Sequence, residues 1–162
     1  MRTAIIYISK HGTTEKVAKL IAEKQKHKDI TLLDLRSITK PLIESYDRVI
    51  IGGSIHAGMI QKRIKSFCED NLDLLLKKEI GLFICCMMKE KQNEQFENAF
   101  PQKLRDHCKV KGCFGGEFVF EKMNFLEKLI VKKVAQTDIS ISQIDYEAIN
   151  LFVDEFWKNK KN

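Results

Sequence analysis

Short apolar runs alternate with amphipathic stretches along the whole chain. Residues 4–8 are continuously apolar and rich in β-branched side chains, which is typical of a strand buried on both faces. Residues 13–26 follow with apolar positions at helical spacing and charges on the opposite side. The same alternation predicts further strands at residues 30–35, 48–52, 80–86 and 110–118, and further helices at residues 61–76, 93–108, 122–134 and 143–158.

The order of these elements predicts the fold class. Parallel strands need long crossover connections, and helices between strands provide them with right-handed geometry. Strands that are apolar at every position need helices on both faces of the sheet. We therefore predict an α/β fold, a doubly wound sandwich with a five-stranded parallel sheet, in one domain that spans residues 1–162.

Composition narrows the class of protein. With 44% apolar and 31% charged residues, the chain resembles globular proteins and not disordered or collagen-like ones. The longest apolar run, residues 82–88, is far shorter than the ~18–20 residues of a membrane span, and the N-terminal run is too short for a signal peptide. The five cysteines form no CxxC pair, so we predict no disulfide framework, no metal site and a cytoplasmic location.

The chain carries a net charge of +6, which favours anionic partners. Charge alone does not choose among nucleic acids, acidic proteins, anionic lipids and carboxylate-bearing substrates. A nucleic-acid surface would interleave its basic residues with stacking aromatics, and the sequence has no such stripe. We therefore expect no nucleic-acid partner.

A hydroxyl-rich loop follows the first predicted strand, at the sheet edge where α/β proteins bind ligands. It is neither a GxGxxG fingerprint nor a Walker loop, because it has one glycine and no GK[ST] ending. Its backbone N–H groups at a helix start favour a phosphate monoester, although simple capping of the helix would explain the same residues. The candidate residues are Ser9, Lys10, His11, Gly12, Thr13 and Thr14.

Two more loops leave the same edge of the predicted sheet. Gly52, Gly53 and Gly58 let backbone approach a planar ligand closely, while His56 and Met87 offer π or soft apolar contacts. Each of these residues also has an ordinary explanation as a turn glycine or a core side chain. Together, the three loops predict a phosphate at one end of a site and a flat ring between the other two loops.

Two stretches of this sequence resemble the flavodoxin family. Ser9-x-x-Gly12-x-Thr14 is similar to the family's FMN-phosphate motif, and residues 46–54, YDRVIIGGS, are similar to the approach to its first flavin-ring loop. Within the family, the chain most resembles the menaquinone-type protoporphyrinogen IX dehydrogenases. That resemblance is carried by YDRVIIGGSIHAG and by the order of Gly115-Gly116, an aromatic stretch, a basic amphipathic helix and Tyr146, and it covers essentially the whole chain.

The resemblance implies FMN as the cofactor, a sheet order of 2-1-3-4-5 and phosphate binding by residues 9–14. It implies that the isoalloxazine ring is flanked by Ser54, Ile55, His56, Ala57 and Gly58 on one side and by Cys86, Met87, Met88 and Lys89 on the other. The implied function is an oxidoreductase that passes electrons from protoporphyrinogen IX to a quinone in heme biosynthesis. The alternative is a flavodoxin-type electron carrier that has a redox-protein partner and no small-molecule substrate of its own.

Two departures from carrier flavodoxins bear on this choice. Carriers commonly sandwich the ring between a Trp and a Tyr, whereas the only Trp here is Trp157 and the ring loops contain no aromatic side chain beyond His56. The face of the ring is therefore expected to be more open, as a substrate or quinone requires. Carriers are also typically acidic, and a basic surface favours the anionic reduced flavin and raises its potential slightly.

The remaining candidates are basic residues near the ring loops and in the C-terminal third. Lys62, Arg63 and Lys91 are candidate partners for substrate carboxylates, on loop position alone. Residues 122–134 combine an apolar stripe with flanking lysines. Such a helix can contact an anionic membrane surface peripherally, face a lipophilic quinone or pack on the sheet as a crossover, and the sequence leaves these alternatives open. No residue stands out as a catalytic acid or base.

Overall fold

A computed structural model describes residues 1–136 and 139–158. Its central sheet contains five parallel strands and a short antiparallel one, which are β1 (Arg2–Tyr7), β2 (Asp29–Asp34), β3 (Arg48–His56), β4 (Met59–Ile60), β5 (Glu79–Cys85) and β6 (Val110–Cys113). A separate two-stranded sheet contains β7 (Glu117–Phe118) and β8 (Ile141–Ser142). The helices are α1 (Thr13–Glu23), α2 (Lys62–Asp70), α3 (Leu72–Leu75), α4 (Gln92–Ala99), α5 (Gln102–His107), α6 (Phe125–Ala135) and α7 (Tyr146–Trp157), with 3-10 turns at Lys89–Lys91 and Phe120–Lys122.

The parallel strands lie in the order β2-β1-β3-β5-β6, with β4 folded back antiparallel on β3. In strand numbers that count parallel strands only, this is the predicted order 2-1-3-4-5. The predicted α/β class and doubly wound sheet are therefore confirmed. The order brings the carboxyl ends of β1 and β3, which are neighbours, next to that of β5, so the three predicted loops leave one edge together.

Two apolar layers cover the two faces of the sheet, as the strand pattern requires. On one face Ile6 and Ile51 pack with the α2 residue Ile64 and the α4 residue Phe96. On the other face Ile5 and neighbouring strand residues pack against α1 and α7, through Val17, Ile21, Phe152 and Phe156. Successive strand residues point alternately into these two layers. In a strand that is apolar at every position, each side chain is therefore buried in one layer or the other.

Three predicted elements are interrupted or cut short in the structure, each for a local reason. The helix predicted over residues 61–76 is interrupted at Asn71, whose side-chain amide donates to the carbonyl of Phe67. The helix predicted over residues 93–108 is interrupted at Pro101, and the preceding Phe100 is extended, as a residue before proline prefers. The strand predicted over residues 110–118 ends at Cys113, because Gly115 turns the chain with a φ of +69°.

After that turn, β7 leaves the main sheet and pairs antiparallel with β8. The segment between them contains α6, which the sequence predicted over residues 122–134 and the structure places at Phe125–Ala135. Among the described residues, no helix has both the length and the apolar character needed to cross a membrane.

Candidate functional site

Three loops at the carboxyl edge of the sheet surround one cavity of about 350 Å³, a volume within the usual range for small-molecule sites. The loops follow β1, β3 and β5, as predicted. The predicted residues that line the cavity are Ser9, Lys10, His11, Thr13, Thr14, Ser54, Ile55, His56, Ala57, Gly58, Cys86, Met87 and Met88. Gly12 lies in the first loop without lining the cavity, and Lys89 lines a second cavity beyond the third loop.

The first loop leaves the start of α1 open to an anion. Gly12 precedes the helix with a φ of +99°, a conformation that favours glycine, and its N–H donates to Ser9 Oγ at 3.0 Å. Among the described residues, no side-chain capping bond is present at Gly12, the N-cap of α1. The Thr14 hydroxyl is buried beside the Cys85 thiol and has no hydrogen-bond partner of normal geometry in the part of the chain that the structure describes. Free N–H groups and a free hydroxyl form an anion cradle.

Positive side chains surround this cradle. Lys10 lies in the loop itself, and the Lys122 ammonium lies 3.1 Å from the position that a Cβ on Gly12 would occupy. Lys122 comes from the 3-10 turn before α6, more than a hundred residues along the chain. Sequence reasoning placed Lys122 only on the flank of an amphipathic helix, so its position beside the cradle is new information.

The second loop is a tight hairpin rather than an open glycine loop. Strand β3 continues to His56, and Ala57 and Gly58 both have positive φ, of 49° and 79°, as a two-residue type I′ turn requires. The side chain of Gln61 holds the hairpin through two hydrogen bonds to Ser54. Its Oε1 accepts from the Ser54 N–H at 3.1 Å, and its Nε2 donates to Ser54 Oγ at 2.7 Å.

His56 lies in the wall of the cavity. Partial burial lowers its pKa from the ordinary value, and the nearby His11 and Lys10 lower it further. Its Nε2 shares a hydrogen bond of 2.9 Å with Ser54 Oγ, and its ring meets the His11 ring edge-on with centroids 6.0 Å apart. The hairpin therefore presents an oriented heterocycle to whatever fills the cavity.

The third loop, together with α4, closes the cavity from the other side. Cys86 is buried, and a Cβ on Gly116 would lie 3.1 Å from the sulfur of Met87, so the loop packs tightly against the chain after β6. Gln95 on α4 also lines the cavity. Its side chain is in a residue only 6% exposed, and its Oε1 has no partner among the described residues. Sequence reasoning missed Gln95, because one Gln on an amphipathic helix carries no signal.

A fourth wall lies over the cavity and was not predicted. We call residues 117–131 the cover, because Glu117, Phe118, Met123, Glu127, Ile130 and Val131 line the cavity from that side. The ring loops themselves contain no aromatic side chain beyond His56, but Phe118 brings one to the cavity. The open ring face expected from the sequence is therefore narrowed by a segment that is distant along the chain.

Carboxylates attach the cover to the first loop. Glu127 forms an ion pair with Lys10, lies 3.4 Å from His11 Nε2, and completes a capping box with Asn124 at the start of α6. The hydrogen bond from Lys10 lowers the pKa of Glu127 to about 2. Glu117 accepts from Lys16 at 2.8 Å and from Ser142 at 2.7 Å. The N-x-x-E capping box was visible in the sequence, but its partners in the first loop were not.

The predicted substrate cations are placed differently from the predicted cofactor residues. Lys62 and Arg63 begin α2 just beyond the hairpin, and Lys91 ends the 3-10 turn after the third loop. None of the three lines the cavity. The structure therefore brings together the residues expected at the phosphate and ring, and leaves these three basic residues apart from them.

Comparison with known proteins identifies the family. Residues 4–143 match the family model described as a flavodoxin domain. The chain belongs to this flavodoxin family. The match confirms the family predicted from the sequence and, with it, FMN as the cofactor.

Individual relatives are distant. The protoporphyrinogen IX dehydrogenase [quinone] of Escherichia coli K12 is 21% identical over 96% of this chain and 94% of its own length. A flavodoxin of Clostridium saccharobutylicum is 27% identical over 50% of this chain, and the match spans only about half of that flavodoxin (52%). Among solved structures, a Streptococcus pneumonia TIGR4 flavodoxin aligns with a TM-score of 0.53 at 16% identity, covering 96% of this chain and 97% of its own. The flavodiiron protein of Giardia intestinalis aligns with a TM-score of 0.56 at 18% identity, over 96% of this chain and 35% of its own.

The residues of this flavodoxin-family cavity fit FMN. The open start of α1 suits the phosphate, and the buried Thr14 hydroxyl lacks the partner that a phosphate oxygen supplies. The unpartnered Oε1 of Gln95 lines the same cavity, where a flavin ring can supply a hydrogen-bond donor. A buried polar atom without a partner costs about 1–3 kcal/mol. A ligand that forms hydrogen bonds to these atoms removes that cost, which favours its binding.

Proposed function

We propose that this protein is an FMN-dependent dehydrogenase that passes electrons from protoporphyrinogen IX, or a closely related reduced tetrapyrrole, to a quinone. The observation that carries this proposal is the match with the E. coli dehydrogenase, which extends over nearly the full length of both chains. The cover supports it, because an apolar segment over the cavity suits an apolar substrate and acceptor better than a protein-to-protein electron carrier.

Each wall of the cavity has its own task in this proposal. The start of α1, with Ser9 and Thr14, holds the phosphate, while Gln95 and the hairpin orient the ring. FMN supplies the redox chemistry, and the protein supplies orientation and electrostatics. Met123 and the buried Val131 of the cover keep water from the ring, which protects a reduced flavin from side reactions. The positive charge of Lys122 beside the start of α1 favours an anionic ligand, whereas the charge of Lys10 is compensated by Glu127.

The outer face of the cover suits a lipophilic acceptor at an anionic membrane surface. Phe125, Leu126 and Leu129 are 74%, 68% and 48% exposed on α6 and do not line the cavity, so they form an outer apolar face. Basic side chains accompany it at Lys128, Lys132 and Lys133. An exposed apolar face flanked by lysines matches the interface of an anionic bilayer, where quinones dissolve. We therefore place the acceptor on this side of the protein.

The test is an anaerobic assay of the FMN-loaded protein. We expect porphyrin fluorescence to appear from protoporphyrinogen IX only when a menaquinone analogue is present, at a rate well above that of the FMN-free protein. The second candidate, an electron carrier, is favoured by the alignment with nearly the whole Streptococcus pneumonia flavodoxin. Rapid reduction by a flavodoxin reductase, with no quinone-dependent porphyrin formation, would identify the protein as a carrier and overturn the proposal.

A further inference from the structure

A second cavity, of about 650 Å³, lies on the far side of the third loop from the flavin cavity. We call it the edge cavity, because it lies against the edge strand β6 of the sheet, below α4 and α5. Cys86 lines both cavities, so only the loop after β5 separates them. No motif pointed to this cavity, because its residues come from five separate segments of the chain.

Three cations line the edge cavity. Lys89 follows the third loop, Arg105 lies on α5 and Lys111 lies on β6. Among the residues that the structure describes, none of the three forms an ion pair, and Arg105 uses only its Nε, which donates to the carbonyl of Phe100 at 3.1 Å. Its two terminal nitrogens therefore remain able to bind a carboxylate in a fork geometry.

Other side chains leave the cavity with a positive balance and one apolar wall. Two carboxylates line it, Glu97 and Asp145, and Asp145 is engaged at the start of α7, where it accepts from the Ala148 N–H at 2.9 Å. Burial raises the pKa of the Cys113 thiol to about 11, so this residue adds no negative charge near neutral pH. Phe96 supplies an aromatic wall. This lining suits a flat apolar molecule that carries carboxylate groups.

We propose that the edge cavity binds the carboxylate side chains of the tetrapyrrole substrate, with Arg105 and Lys111 as the recognition residues. The inference rests on the proposed function and adds to it the place where substrate carboxylates bind. It assigns recognition to the β6 side of the third loop instead of to Lys62 and Arg63, which lie on the hairpin side. The loop shared through Cys86 then puts the macrocycle next to the flavin cavity.

The test uses the FMN-loaded protein and two porphyrin probes, protoporphyrin IX with two free propionates and its dimethyl ester. Binding is followed by the change in porphyrin absorbance, in the same dilute detergent. We expect the wild-type protein to prefer the free acid at least tenfold. Arg105→Glu and Lys111→Glu, alone and together, should abolish that preference without reducing FMN content. Lys103→Glu, an exposed residue on the same helix that does not line the cavity, is the matched control and should keep it.

The outcomes separate this inference from the proposed function. If the wild-type protein shows no preference for the free acid, the assignment of carboxylate binding to the edge cavity is wrong. It is also wrong if Lys62→Glu with Arg63→Glu removes the preference and Lys111→Glu does not. Protoporphyrinogen oxidation by the wild type would then leave the proposed function intact. If the preference depends on Arg105 and Lys111 but no protoporphyrinogen is oxidised, the edge cavity is supported and the proposed function fails. Because Lys111 is exposed, its substitution tests the inference even if Arg105→Glu does not fold.

Discussion

The two sides of the flavin cavity are built in different ways. The inner wall, made of the loops after β1, β3 and β5, continues from strands in which Ile5, Ile50 and Ile84 are fully buried. The cover has few buried apolar residues, and its attachment to the first loop consists of ion pairs and hydrogen bonds through Glu127 and Glu117. Loops on buried strands keep their geometry, whereas polar contacts at the surface contribute little and open readily.

This difference assigns separate roles to the two sides. The inner wall fixes the cofactor, because its N–H groups and hydroxyls are already in place before any ligand arrives. We expect the cover to control what else reaches the cavity, because mostly polar contacts attach it to the rest of the fold. Substitutions in the inner wall should therefore change FMN affinity strongly. Substitutions in the cover should change the mobility of the cover and the access of other molecules to the cavity more than they change FMN affinity.

The largest effect is expected when the phosphate itself is removed from the ligand. Riboflavin should bind the apoprotein at least about 100-fold more weakly than FMN, because each charge-assisted hydrogen bond to the phosphate contributes about 1.5–3 kcal/mol and about 1.4 kcal/mol is tenfold in affinity. Titration by quenching of flavin fluorescence measures both ligands. Equal affinities would show that the start of α1 does not hold the phosphate.

The next effect isolates one hydroxyl of the inner wall. Thr14→Val removes a buried hydroxyl that has no partner in the described structure, so the free energy of unfolding of the apoprotein should stay the same or rise by up to about 1 kcal/mol. FMN affinity should fall about tenfold, because a hydrogen bond to a charged phosphate is lost. Thr3→Val is the matched control, since Thr3 on β1 has an equally buried, unpartnered hydroxyl away from the cavity. A similar loss of affinity in both variants would contradict the assignment.

A comparable effect is expected from Gln95 at the ring end. Gln95→Leu keeps the approximate volume, removes the unpartnered amide and should weaken FMN binding about tenfold while leaving stability unchanged or higher. Asn98→Leu, on the exposed side of the same helix, controls for the substitution on α4. If Gln95→Leu binds FMN normally, the side-chain amide of Gln95 in the wild type does not contact the flavin.

The same contrast explains how much the sequence could predict. The strands, the helices and the hydroxyl-rich loop at residues 9–14 follow from local patterns, because a buried strand, a turn residue and a helix start are each encoded within a few neighbouring residues. The sheet order and the ring-flanking residues 54–58 came instead from the resemblance to the flavodoxin family. The two helix breaks, at Asn71 and Pro101, were also local signals, and the proline break was readable from the rule on the residue before proline.

The cover was not predictable in the same manner. Its position depends on Gly115 turning the chain out of the sheet and on Glu127 meeting Lys10, 117 residues away. Neither the turn at Gly115 nor the contact between Glu127 and Lys10 produces a recognisable pattern in the sequence. The edge cavity was missed for the same reason, since Lys89, Arg105 and Lys111 meet only after β5 and β6 pair. Contacts of this kind require the tertiary fold.

A smaller effect is expected where the cover meets the inner wall. Glu127→Gln removes the ion pair with Lys10, so amide exchange along α6 should become a few-fold faster, since an exposed pair contributes about 0.2–1 kcal/mol. FMN affinity should rise slightly, because a carboxylate beside the phosphate site is neutralised. Glu121→Gln is the control, because Glu121 lies in the cover but bonds Ser140 and not the first loop. Unchanged exchange in Glu127→Gln would show that other contacts hold the cover.

Acid should loosen the cover through the same residue. The pKa of Glu127 is about 2 in the folded protein against an ordinary value of 4.5. A depressed pKa means that the carboxylate stabilises the attached cover above pH 4.5 and that this contribution is lost as the pH falls from 4.5 towards 2. After correction for the intrinsic exchange rate, which itself falls with pH, the protection of the α6 amides should therefore decrease over that interval in the wild type and not in Glu127→Gln. The sheet amides serve as the internal reference.

The smallest effect on the fold is expected at the outer face of α6. Phe125→Ser combined with Leu126→Ser should change the free energy of unfolding by less than about 0.5 kcal/mol, because both side chains are mostly exposed. Sedimentation with vesicles rich in anionic lipid should nevertheless fall to the level seen with neutral vesicles, and menaquinone-dependent turnover in such vesicles should fall with it. Tyr146→Ser, which removes an exposed aromatic side chain on α7, is the control. Vesicle binding that survives the α6 double substitution but disappears in high salt would mean that the lysines act alone, and the apolar face would then have no part in reaching the acceptor.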